Sequence, residues 1–198
     1  MRKKRTFIWE TGGVIALILI YLSVMTWYYP LSSFSIHKSY TYKPGKILYN
    51  DKTYGEIVNA FKKTYEKELV KEFESKGRDL DLTVVKTEYI LPLFEQEWLL
   101  GTNPVTIKPY KLENMLFEVQ HSRDIMLQLL ADENYTKEQG NYLLASIKNL
   151  LHIEDSIRNI RDEKFITRKE LKNSIRNLRG DFRDGFRFYV NPFYERTR

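Results

Sequence analysis

Candidate chemistry in this chain begins with histidine. His121-Ser122-Arg123-Asp124 and His152-Ile153-Glu154-Asp155 repeat an H-x-x-D spacing on two successive helical stretches. Two such pairs facing each other inside a bundle would offer imidazole and carboxylate ligands to a metal. The helical wheel argues against that arrangement. His121 lies roughly 180° from the centre of its apolar stripe, and His152 is similarly opposed to Leu144 and Ile147. Both are expected to face solvent or a partner, so no metal, cofactor-binding or catalytic residue is assigned. Nor does the sequence hold a nucleotide-binding glycine loop, a Gly-x-Ser-x-Gly elbow or a His-Glu-x-x-His pair. The chain has no cysteine, which removes disulfides, thiolate metal ligands and thiol nucleophiles. Glu154 falls inside the apolar sector of its helix. The stripe is expected to drift and leave Glu154 at its margin; buried, it would need a cation, which an arginine of the last helix could supply.

A second constellation lies near the C-terminus. Leu171, Ile175, Leu178, Phe182, Phe186 and Tyr189 recur at spacings of three and four, within a sector of roughly 80°. The aromatic residues therefore extend a core stripe begun by aliphatic ones. Asn191-Pro192 is expected to end the helix and take Phe193 out of the pattern. Lys172, Arg176, Arg179, Arg183 and Arg187 line a second sector, roughly 100° round from the first. This row is the candidate ridge for an anionic partner. Its alternative is internal pairing, since the acidic middle of the chain supplies Glu66, Glu68, Glu72 and Glu74. Arg179-Gly180-Asp181 spells an adhesion tripeptide, but inside a helix it is not displayed as one. Gly185 lies near the apolar stripe, where it lets another helix come close.

The charge of +6 is unevenly spread. Residues 51–155 carry 13 basic and 19 acidic residues, whereas residues 156–198 carry 12 basic and 6 acidic ones. The chain is thus acidic in the middle and basic at both ends. Hydrophobic content of 42% and charged content of 29% are ordinary for a folded protein.

These residues need an anchor and a scaffold. Residues 1–5 are a basic flank, and residues 6–29 read as a transmembrane helix. From Phe7 to Tyr29 the helix measures roughly 34 Å, enough to cross a bilayer. Trp9 at one end, and Trp27, Tyr28 and Tyr29 at the other, occupy the two interfacial levels. Glu10 is shallow enough to reach back to the interface beside the basic cluster. Arg2, Lys3, Lys4 and Arg5 favour a cytoplasmic N-terminus and an extracytoplasmic C-terminal domain. Small residues after Pro30 leave signal-peptide cleavage as an alternative, although the apolar run exceeds a usual signal core. Four alanines, against fourteen tyrosines and many lysines and asparagines, suggest an AT-rich coding genome. An exported domain without cysteine fits a bacterium.

Residues 30–50 read as an extended juxtamembrane segment, either an edge strand or a stalk. Residues 51–198 form the extracytoplasmic domain. Thr53 and Glu56 cap a helix carrying Tyr54, Ile57, Phe61, Tyr65, Leu69 and Phe73, with Gly77 as its stop. In residues 79–109, "DLDLTVV" alternates like a strand, "PLFEQEWLLG" reads as a short helix, and "VTIKP" alternates again. Leu112, Met115, Leu116, Val119, Met126, Leu129 and Leu130 mark the next helix. Thr136 with Gln139 caps a third, and Thr167 with Glu170 caps the last. The Asn134-Tyr135-Thr136 sequon is equally a helix cap.

The expected fold is mainly α, with a transmembrane helix followed by a bundle of about four principal helices and a small β element. The expected function is a membrane-anchored, non-enzymatic interaction module that contacts an envelope protein through a helical surface. An alternative is binding of an anionic wall polymer or lipid headgroups by the basic ridge. A hydrolase or metal-dependent enzyme stands last. No nucleic-acid partner is expected, because the ridge lies outside the cell.

Overall fold

The structure is a computed structural model that describes residues 2–46, 48–74 and 80–197, with side chains from residue 11 onward. The side chains of Arg2 to Glu10 and the Gly77 stop lie outside the described residues. Helix α1 spans Arg2–Tyr28. Its segment Thr11–Tyr28 has a mean hydropathy of 1.7 and is long and apolar enough to cross a membrane. It is the only such helix among the described residues.

The chain after α1 is not a stalk. Ser32 N donates to the Tyr29 carbonyl at 3.0 Å, and Ser35 N to the Ser32 carbonyl at 3.1 Å. Ile36 N then donates to Thr26 Oγ1 at 3.0 Å, so residues 29–36 turn back along α1. Phe34 meets Tyr21 edge-on at 5.8 Å, and Phe165 meets Tyr29 at 5.7 Å. Further on, strand β1 (Tyr40–Tyr42) pairs antiparallel with β4 (Val105–Ile107), Thr41 opposite Thr106. Within the extended segment expected over residues 30–50, the strand reading therefore holds for Tyr40–Tyr42. Strands β2 (Leu48–Tyr49) and β3 (Lys52–Thr53) make a tight hairpin. Asn50 and Asp51 take φ of 49° and 62° at its turn, where their short polar side chains tolerate left-handed backbone.

Six α-helices build the domain among the described residues: α2 (Tyr54–Glu74), α3 (Leu82–Ile90), α4 (Glu97–Leu100), α5 (Pro109–Asp132), α6 (Lys137–Asp162) and α7 (Arg168–Phe188). Both Thr136–Gln139 and Thr167–Glu170 form complete capping boxes. At α2, Thr53 N and Oγ1 donate to Glu56 Oε2 at 2.6 and 2.7 Å. Residues 79–109 read ambiguously as strand or helix, and the strand-like alternation of "DLDLTVV" does not become a strand: Leu82 onward is helical. Asp81 Oδ1 accepts from Thr83 N and Val84 N, which caps α3, and Thr83, Val84, Thr87 and Ile90 then share its buried face. Over two turns, alternation and a helical stripe are hard to tell apart.

The apolar stripe of α7 is core. Phe182, Phe186 and Tyr189 are all at most 2% exposed. Phe186 meets Tyr54, Phe61 and Phe94 edge-on at 5.5–5.7 Å, which ties α7 to α2 and to the turn after α3. Pro192 does not release Phe193. A single wide turn over Tyr189–Phe193 follows α7 and keeps Phe193 and Tyr194 buried. The proline removes one donor, and the wider turn accommodates it. Glycine matters at position 185, where a Cβ would lie 2.5 Å from Asn149 Oδ1 on α6. At Gly180 nothing lies within 4 Å.

Candidate functional site

The five cations of the α7 ridge do not share one environment. Lys172, Arg176 and Arg187 are exposed, whereas Arg179 and Arg183 are each 2% exposed. The expectation of a single displayed basic row is therefore corrected. Two loops explain the difference. The β1–β2 connection, "KPGK" at 43–46, and the turn after α4, "LGTN" at 100–103, fold over the middle of α7.

Arg179 is held by backbone oxygens. Its Nη1 donates to the Gly45 carbonyl at 2.9 Å, and its Nη2 to the carbonyls of Leu99 at 3.0 Å and Gly101 at 2.6 Å. Those carbonyls are dipoles, not counter-ions. Burial pushes the Arg179 pKa down, and the neighbouring Arg183 charge pushes the same way. Arg183, one turn on, has less. Its guanidinium lies over the Tyr54 ring, 5.4 Å from the centroid. Its Nε and Nη1 are buried without a hydrogen-bond partner. Neither arginine forms an ion pair among the described residues.

Both arginines line a cavity of about 460 Å³ together with Gly45, Lys46, Tyr54, Thr102 and Asn103. Among the described residues, no aspartate or glutamate lines it. Of the carboxylates in the neighbourhood, Glu95 is paired with Lys62 at 2.8 Å, and Glu56 is committed to Thr53 at the start of α2. Those hydrogen bonds, together with Lys46 and Lys52, hold its carboxyl below the usual range. An open cavity with a cationic floor and no acid in its lining can receive an anion.

No family model, curated protein or solved structure matches this chain.

The remaining candidates settle into structural roles. Glu154 is buried and paired, but not by α7. Arg123 Nη1 of α5 reaches Glu154 Oε1 at 2.5 Å, Arg158 Nη2 reaches Oε2 at 3.3 Å, and Gln120 Nε2 reaches Oε2 at 3.4 Å. The marginal placement expected for Glu154 is corrected, and so is the alternative donor helix, because the middle arginines of α7 turn toward the two loops instead. His121 stacks on Phe117 at 6.2 Å, and both are exposed. His152 Nε2 lies 3.8 Å from Asp181 Oδ2. The two H-x-x-D motifs do not converge, and among the described residues no group of three His, Asp or Glu side chains is placed to hold a metal ion. Sequence reasoning missed the loop residues at 43–46 and 100–103. Their signal was Pro-Gly and Gly-x-x-Pro turn chemistry, which marks a turn but not what it covers.

Proposed function

We propose that this is a single-pass membrane protein, N-terminus cytoplasmic, whose extracytoplasmic helical domain is a non-enzymatic module for docking an envelope protein. The basic flank at Arg2–Arg5 supports the orientation. The exit from α1 supports a domain seated close to the bilayer. Trp27, Tyr28, Phe34, Ile36 and Phe165 are exposed beside one another there, at the level where interfacial aromatics gather. Arg168 braces this collar: its Nε donates to the Trp27 carbonyl, and its guanidinium lies 4.9 Å from the Trp27 ring centroid.

The observation that carries the docking role is a groove of about 710 Å³ between α2 and the end of α7. Ile57, Phe61, Phe186, Val190 and Tyr194 make its floor, while Lys52, Glu68, Arg187 and Glu195 stand around it. An apolar floor inside a mixed-charge rim suits an aromatic or aliphatic anchor from a protein. About 27 Å of α7 separate Arg168 from Phe186, so the groove opens well beyond the collar.

A photo-crosslinking residue at Ala60 or Thr64, in native membranes, tests the reading. A discrete heterologous product is expected from either position and not from Lys148 on α6. Crosslinks only to a second copy would replace the envelope partner with a homo-oligomer. No product from the groove positions would refute docking there.

A further inference from the structure

Arg183 is the side chain in this domain whose burial is least explained by the fold. It is 2% exposed, two of its nitrogens lack acceptors, and its near neighbour of comparable burial is another arginine. A guanidinium buried without hydrogen bonds carries a large desolvation cost, and a second one beside it adds repulsion. Such an arrangement becomes favourable when an anion enters between the two groups. The cavity over them is open to solvent-borne ligands, carries Lys46 at its mouth, and offers the Thr102 hydroxyl and the Asn103 amide as further donors.

We propose that Arg179 and Arg183 form the floor of a binding site for a phosphate monoester or inorganic phosphate. Two adjacent guanidiniums match a dianion with several acceptor oxygens, and planar N–H forks bind such oxygens in pairs. A single carboxylate would leave one cation uncompensated. Arg179 is pre-positioned by three carbonyls and leaves only Nε without a partner, whereas Arg183 has no acceptor for either Nε or Nη1. The site shares no lining residue with the α2–α7 groove, so it stands or falls independently of protein docking. A phosphate in solution and a phosphate headgroup would present the same oxygens to the site, and the two arms of the test separate them.

The test uses the full chain in phosphatidylcholine nanodiscs and phosphate-free buffer. Inorganic phosphate and glycerol 3-phosphate are titrated at constant ionic strength, with binding read by calorimetry and by thermal unfolding. One saturable site and a raised Tm are expected, with chloride ineffective. Arg183→Gln should weaken binding at least tenfold, roughly the loss of one charge-assisted contact. Arg183→Lys should recover part of it, and Arg187→Gln should leave it unchanged. Because Arg183 Nε and Nη1 have no hydrogen-bond partner in the fold, its replacement is not expected to unfold the domain. Nanodiscs containing phosphatidic acid form the second arm. Protection seen only with them would confirm the phosphate site and assign a lipid as its source. Absence of binding in both arms, or binding equal in wild type and Arg183→Gln, would overturn the proposal.

Discussion

Glu154 and Arg183 sit on neighbouring helices, and each is 2% exposed. Around Glu154 the chain gathers two arginines and a glutamine amide. Around Arg183 it gathers a tyrosine ring and a second arginine, with no acid lining the cavity they share. The same fold thus compensates one buried charge and leaves the other open. Pairing on α5 and α6 is short-range in the hairpin and uses side chains. The α7 arginines are covered by loops that present carbonyls, which orient a cation without cancelling it. The first arrangement stabilises structure. The second leaves affinity for something outside the chain.

The difference has measurable consequences for the full chain in detergent or nanodiscs. The largest should come from Arg123→Met, which removes the nearer of the two cations on Glu154, leaves it the half-exposed Arg158, and should cost about 2–4 kcal/mol in chemical denaturation. A negligible loss would mean that Glu154 is hydrated and the pairing incidental. A smaller pair of changes maps which part of α7 is clamped. Gly185→Ala should destabilise by about 1–3 kcal/mol, because the new methyl meets Asn149 Oδ1. Gly180→Ala, with nothing within 4 Å, should stabilise by up to about 1 kcal/mol through helix propensity. Equal signs would contradict the close α6–α7 approach.

The smallest effect concerns an exposed charge, the Glu170 cap. The Thr167 hydroxyl and amide hold its carboxyl below the usual range. That contribution is complete above the unfolded carboxylate value and is lost as pH falls through the lower, folded one. Glu170→Gln should therefore flatten the acid limb of a stability–pH profile, while wild type keeps its slope. An unchanged limb would remove the cap from the account.

Much of the scaffold was legible in the sequence because it is local. The capping boxes at Thr136 and Thr167, the apolar stripe of α7 and the membrane-length helix depend on spacings within one element. The helix at 82–90 was undecided in the sequence because two turns give too few periods to distinguish alternation from a helical face. The burial of Arg179 and Arg183 was not legible. A helical wheel places a residue relative to its own helix, not relative to the loops that later cover the flank. Backbone carbonyls from Gly45, Leu99 and Gly101 also leave no residue-type signature. Glu154 was legible as a residue needing a cation if buried, but its partner required knowing which helices are neighbours.

The comparison turns on whether Arg183 lacks a counter-ion of its own. The direct measurement is the unfolding free energy of Arg183→Met beside wild type in phosphate-free buffer. An uncompensated cation predicts that the variant is more stable by about 1–3 kcal/mol, since an apolar side chain of similar length removes the desolvation cost. A loss of that size, like the one expected for Arg123→Met, would show that Arg183 is already satisfied within the fold and contradict the account.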